Sequence, residues 1–416
     1  MTAMRLPLAA PILALALAAL PGGAASAQSG PSGNPLDVLK TPMIFYLAKG
    51  APDACGPGCS EWIAAEGAFD TGAAARLRAF LSKHRDANLP VYFHSPGGLA
   101  DRAFSVGRMM RERGMTAGVS RTQPQACRKL DEKACNALKR SGQTLAAELN
   151  AVSACNSACV YALIGATQRR VPPGARLGVH SSRLIKLYSD GRAAPVHADA
   201  ARSQTRVRDA QTRKYIVEMG IDGRLFDIAS KTPHESVHYL SRDEIAGLRI
   251  DPREFQETGW MLVQSRRVSV RKLFIEARGP ERREYRVGVV DLSCAAPGRT
   301  GLTYVRGLAS DEGGRAQALG LVVDGREMPM SGIASVAKLD FLDTGSSFDH
   351  WSRSDARDFL ERVTKVDNFA IAAGLPGRPL ELASATRLST AGLSNAIGAL
   401  REKCGLAEQP ASTLRQ

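Results

Sequence analysis

Residues 154–183 read A-C-N-S-A-C-V-Y-A-L-I-G-A-T-Q-R-R-V-P-P-G-A-R-L-G-V-H-S-S-R. The order of small, apolar and charged residues in this stretch decides the fold class. Ser157 stands among small residues and opens an apolar run, residues 160–165. Pro172, Pro173 and Gly174 then mark a turn. Residues 176–180 form a strand that ends on His180. Such a stretch belongs to a parallel sheet, where a crossover returns each strand to the same edge.

Upstream the same alternation repeats. Residues 43–47 (M-I-F-Y-L) predict a short apolar strand. A helix is expected from Thr71, with Leu77, Phe80 and Leu81 on its apolar side. Residues 91–93 predict a buried strand that runs into His94-Ser95-Pro96-Gly97-Gly98. Ala103, Val106 and Met110 line a second helix, with Gly114 as its stop, and residues 116–120 give the next strand. Residues 123–150 break the rhythm. They are polar and charged, carry Cys127 and Cys135, and read as an inserted helical hairpin or lid. A long polar helix is expected over residues 198–219.

After residue 251 the character changes. Residues 261–263, 272–277, 285–292 and 302–305 predict strands separated by charged or Gly-rich turns, and 354–366 and 389–404 predict helices. The expected organisation is an α/β domain over 41–254, then a smaller α+β domain over 255–416. Residues 1–27 have a charged start, an apolar run and Ala25-Ser26-Ala27, the pattern of a secretory signal peptide. Residues 28–40 read as a Gly/Ser/Pro linker. No other stretch is apolar and long enough for a membrane span, so a periplasmic or secreted location is expected.

An exported chain of 416 residues with eight cysteines points to disulfides. Cys294 and Cys404 stand alone in the second domain, Cys127 and Cys135 in the insertion, and Cys155 and Cys159 bracket Ser157. Zinc is not expected, because no pair has C-x2-C spacing and no histidines cluster beside the cysteines. The formal charge of +14 reads as surface charge. Basic runs interleaved with aromatics are absent, which argues against a nucleic-acid partner.

The candidate chemistry is acyl transfer. A serine at a strand-to-helix turn can expose its Oγ beside the helix N-terminus, but it needs a base within reach. His180 is the candidate base. Gly97 and Gly98 let backbone amides approach a substrate closely, and with the Ala158 amide they are the candidate oxyanion donors. Leu342-Asp343-Thr344-Gly345-Ser346-Ser347 matches half of an aspartic-protease site. Such a site needs two carboxylates that share a proton, and a charged stretch rather than a β flap follows this run, so it reads as a turn and then a helix start.

The ordered set of strand–S-P-G-G–helix, C-N-S-A–helix–G-A, a Pro-bearing loop and strand–His resembles ClpP, the proteolytic subunit of Clp proteases. It is most similar to exported bacterial relatives with cysteines around the serine. The resemblance spans residues 43–251 and includes Tyr239-Leu240-Ser241-Arg242-Asp243-Glu244-Ile245-Ala246-Gly247-Leu248. It implies a Clp/crotonase-like spiral domain and hydrolysis of a peptide or protein substrate without metal or cofactor. It also leaves a homo-oligomer open. Ser157 would be the nucleophile, His180 the base, and Gly98 and Ala158 the oxyanion donors. Two departures stand out. The family's orienting Asp position is occupied by Val237, with Glu235 as a substitute, and residues 123–150 are extra. There are two rival readings: a scaffold protein that has lost turnover, and a CoA-dependent crotonase-type enzyme, which export disfavours.

Overall fold

The computed structural model describes residues 37–56, 58–84, 88–188, 193–196, 198–264, 268–278, 284–296, 298–307, 318–337, 347–374 and 377–404. The expected signal peptide and residues 28–36 of the expected linker lie outside these. Residues 37–40 form one turn of 3-10 helix.

Two main sheets and a two-stranded hairpin build the first unit. The larger begins with β1 (Ile44–Lys49) and β2 (Glu61–Glu66), which pair antiparallel. From β2 the chain winds through α1 (Ala73–Lys83), β3 (Val91–His94), α2 (Ala100–Glu112) and β4 (Thr116–Val119). Strands β2, β3 and β4 are parallel, as the strand–helix alternation requires. The sequence expectation lacks β2 and therefore takes β1 as the first crossover strand. In the structure the crossovers start one strand later. Helix α1 buries Ala73, Leu77 and Leu81, a four-residue spacing that puts one stripe on the sheet.

The segment 123–150 is not a helical hairpin. It contains strands β5 (Arg121–Pro124) and β6 (Leu145–Asn150), with one short helix, α3 (Glu132–Lys139), between them. Strand β6 adds to β1 and β5 adds to β6, so the segment extends the sheet edge. Leu138, Leu145 and Ala147 pack there with Tyr46 and Trp62.

The smaller sheet holds β7 (Ser153–Asn156) beside β9 (Ala175–Val179). Between them run α4 (Ala158–Gly165) and β8 (Gln168–Arg170), and β8 returns to the large sheet beside β4. Every residue of α4 is buried, so it is a core helix wrapped on all sides. The chain continues through a hairpin, β10 (Ile185–Leu187) and β11 (Ala193–Pro195), to α5 (Ala198–Glu218) and α6 (Arg224–Lys231). Strand β12 (His238–Tyr239) then pairs antiparallel with β9, and α7 (Arg242–Gly247) comes next under a Ser241/Glu244 capping box. Asp251 closes the unit. It is fully buried and accepts from the Val171 amide at 2.8 Å and from Arg253 at 2.7 Å.

A second core begins at Val270. Its sheet holds ten strands among the described residues, with antiparallel neighbours. The expected strands are present and longer, the longest of them being Val268–Arg278 and Glu284–Ala296. Helices Arg357–Val363 and Leu393–Cys404 pack on it. Most of the D-T-G-S-S run lies outside the described residues. Directly after it comes a strand, Ser347–Arg353, rather than the expected helix. The chain is mixed α/β, with an α/β unit of two main sheets and a two-stranded hairpin and then an antiparallel α+β unit.

Four disulfides are present: Cys55–Cys59, Cys127–Cys135, Cys155–Cys159 and Cys294–Cys404. Cys294–Cys404 is the simplest pairing that the sequence offers and Cys127–Cys135 closes the small loop within 123–150, whereas the sequence leaves the partners of Cys55, Cys59, Cys155 and Cys159 open.

Candidate active site

Ser157 is the residue at which β7 turns into α4. Its φ is 54° and its ψ is −121°. Only four described non-Gly residues have positive φ; the others are Asp53, Arg249 and Asp324. A serine held in this region costs about 1–3 kcal/mol and persists only where its surroundings enforce it. The enforcement is visible. The Ser157 amide donates to the Gly178 carbonyl at 2.6 Å, and Cys155 and Cys159, both fully buried, are joined across the turn. A strained strand-to-helix serine is the geometry of a nucleophile elbow.

The S-P-G-G turn meets this elbow directly. Ser95 bridges Cys155: its amide donates to the Ala154 carbonyl, and its carbonyl accepts from Asn156. Gly97 has φ 113°, and a Cβ built on it would stand 2.7 Å from Cβ of Ser157. Gly98 has φ 128°, and a Cβ there would strike the Phe69 backbone at 2.7 Å. Both positions therefore require glycine. Among the described residues neither the Gly98 amide nor the Ala158 amide donates a hydrogen bond. The Ala158 amide is free because it belongs to the first turn of α4, where no intrahelical acceptor exists.

His180 comes directly after β9. In the parallel register Asn156 faces Gly178, so His180 and Ser157 leave adjacent strands at the same end. No hydrogen bond joins Ser157 Oγ to His180 among the described residues. Nδ1 of His180 lies 2.8 Å from the Ser181 carbonyl oxygen. A carbonyl can only accept, so the proton sits on Nδ1 and leaves Nε2 as the basic nitrogen. Burial lowers the His180 pKa, and the neighbouring His234 lowers it further against the opposing effect of the Ser181 carbonyl. The ring is thus neutral, as a general base must be.

The third position departs from a triad. His238 pairs with Val179 in the antiparallel β12–β9 register, so the chain before His238 runs back along His180. Val237 is the residue it brings there, and it offers no acceptor. Glu235 forms an ion pair with Arg183, and both are more than half exposed. No hydrogen bond links Glu235 to His180 among the described residues. The residue that does contact His180 is His234: the two rings are 4.8 Å apart, edge to face. Nothing in the sequence marks His234, because it arrives from the end of α6 through tertiary packing alone. His94 bonds Ser153 and His238 bonds Glu244, and among the described residues no hydrogen bond joins either to His180 or Ser157. His197 lies outside the described residues.

No family model matches the chain, and no curated protein matches it. Several solved structures do. One is an alanine variant of the 1510-N membrane-bound stomatin-specific protease, 12% identical, covering 50% of this chain and 78% of that one, with a TM-score of 0.30. A second variant, solved with a substrate peptide, is 11% identical, covers 50% and 74%, and has a TM-score of 0.31. ClpP1 of Listeria monocytogenes, in an Asn-to-Asp variant, is 12% identical, covers 49% and 88%, and has a TM-score of 0.28.

Proposed function

We propose that residues 41–254 form a serine hydrolase that cleaves a peptide or another acyl bond, and that residues 255–416 are an accessory domain. The observation that carries this reading is the strained Ser157 elbow between two free amides, with His180 leaving the adjacent strand. In this reading Ser157 Oγ attacks the carbonyl carbon and Nε2 of His180 takes its proton. The oxyanion is held by the Gly98 and Ala158 amides, and Gly97 fixes the turn that presents them. The imidazolium then gives its proton to the leaving group. Glu235 enters only through a rearrangement in which it leaves Arg183.

Four disulfides support a location outside the reducing cytoplasm, periplasmic or secreted. No described helix is long and apolar enough to cross a membrane. A scaffold without turnover is the second reading. It is favoured by the absence of a Ser157–His180 hydrogen bond and of a carboxylate on His180 among the described residues. Fluorophosphonate labelling of the oxidised full chain separates the two. Labelling that disappears in Ser157→Ala and falls sharply in His180→Ala establishes the hydrolase, whereas an unlabelled folded protein establishes the scaffold.

A further inference from the structure

His180 lacks the carboxylate that usually orients an imidazole, yet its Nδ1 is not free. We propose that the Ser181 main-chain carbonyl takes the orienting place and that His234 is the positioning residue that holds it there. This rests on the hydrolase reading above and deepens it.

The geometry has three parts. Nδ1 of His180 is 2.8 Å from the Ser181 oxygen, and Nδ1 of His234 is 2.9 Å from the same oxygen. A carbonyl oxygen has two lone pairs and can accept both donors. The two rings pack edge to face at 4.8 Å. The segment itself is anchored, since the Ser181 amide donates to the Thr232 carbonyl at 2.9 Å. Thr232 is the C-cap of α6, and Pro233 is next in the chain. Residues 180–182 are thereby tied to the end of α6, and His234 closes the contact.

The arrangement fixes the tautomer as a carboxylate would. Both Nδ1 atoms carry protons, so His180 keeps Nε2 free for Ser157. When Nε2 takes the serine proton, Nδ1–H remains on the carbonyl. A neutral carbonyl stabilises the imidazolium less than a carboxylate does, so the site gives tautomer control with little charge stabilisation. The charged groups around it are few. Arg183 and Glu235 neutralise each other. From α5, Arg208 donates to the Ser182 carbonyl at 3.2 Å and pairs with Asp209. His238 is held by Glu244. Among the described residues His234 is the one ionisable group in ring contact with His180, and it lowers the pKa of His180.

Two substitutions test this in the oxidised full chain. His234→Phe keeps a ring but removes the donor. His234→Asn keeps a donor and cannot ionise. The tautomer of His180 is read from long-range 15N–1H correlations in a Ser157→Ala background, which needs no turnover. A single Nδ1–H tautomer in the parent and in His234→Asn, giving way to a mixture in His234→Phe, supports the proposal. An Nε2–H tautomer in the parent, or an unchanged one in His234→Phe, overturns it. With Ser157 present, the fluorophosphonate labelling rate should fall about fivefold to tenfold in His234→Phe, the worth of one neutral hydrogen bond, and should be largely retained in His234→Asn. The acid limb of the rate should move to higher pH in both. If the tautomer behaves as expected but nothing labels, the hydrolase reading fails and the orienting contact stands. Equal labelling with an unmoved acid limb in both variants overturns the positioning role of His234 alone.

Discussion

Gly97 is packed so tightly on Ser157 that a single methyl group has no room between them, since a Cβ at Gly97 would lie 2.7 Å from the serine Cβ. The elbow and the glycine turn are one rigid object, clamped by backbone bonds through Ser95. Gly97→Ala should therefore displace the serine or the turn and add the strain of φ 113°. A displacement of about 1 Å lowers reactivity on the order of 10²-fold. Fluorophosphonate labelling of the folded variant is the measurement. A rate within about threefold of the parent, well short of that loss, would show that the contact relaxes without cost to the site.

The disulfides should separate stability from reactivity. Cys155–Cys159 closes a short loop around the elbow, at a sequence separation of 4, whereas Cys294–Cys404 spans 110. Loop-closure entropy gives about 2 kcal/mol for the first and about 4–5 kcal/mol for the second. Double alanine substitution at 294 and 404 should lower the urea midpoint more and leave labelling unchanged. The same change at 155 and 159 should lower the midpoint less but slow labelling, because it frees the strained turn. Equal labelling in both double variants would mean that the backbone bonds alone hold Ser157.

Acid should act on reactivity and stability in the same direction. Burial lowers the pKa of His180, and of His94 and His350 as well, from the ordinary 6.5. The reactive form of His180 is neutral, so the acid limb of labelling should lie below pH 6.5. For stability, an imidazole depressed in the folded state contributes nothing while both states are neutral. Below about pH 6.5 the unfolded chain binds protons that the folded one refuses, and stability falls. Urea unfolding from about pH 7.5 down to about pH 5, a window that brackets the ordinary imidazole value, should show this decline. A flat profile would place these rings in solvent.

Asp251 is the most consequential carboxylate away from Ser157. It is fully buried and holds Arg253, Arg242 and the Val171 amide. Burial would raise its pKa, but the hydrogen bond and charge of Arg253 and the charge of Arg242 hold it below the ordinary carboxylate value. Asp251→Ala leaves the Arg242 guanidinium buried without its counter-charge and should cost roughly 3–5 kcal/mol. Val171 begins the loop that leads into β9, so labelling should decline as well. A loss below about 1 kcal/mol, the worth of an exposed pair, would mean that water replaces the carboxylate.

The candidate site is more legible in the sequence than the sheet that carries it. Ser157, His180, Gly97 and Gly98 stand out by their order along the chain, because strand–helix alternation returns each of them to one edge. The residues 61–66, E-W-I-A-A-E, do not announce a strand, because two alanines and flanking glutamates blur the pattern, yet Trp62 and Ile63 are buried on opposite faces. Residues 145–150, L-A-A-E-L-N, are good helix formers, and pairing with β1 and β5 overrides that preference. His234 is invisible for a different reason. Its contact with His180 joins the end of a helix to the end of a strand, and no spacing rule connects the two.

Strand β12 and Asp251 come late in the first unit, yet one borders His180 and the other fixes the loop before it. A chain emerging from its N-terminus carries the serine long before it carries these supports. Until the Asp251–Arg253 pair has emerged, Ser157 has a neighbour but no frame. The frame around the elbow is thus complete only when the last residues of the first unit are in place.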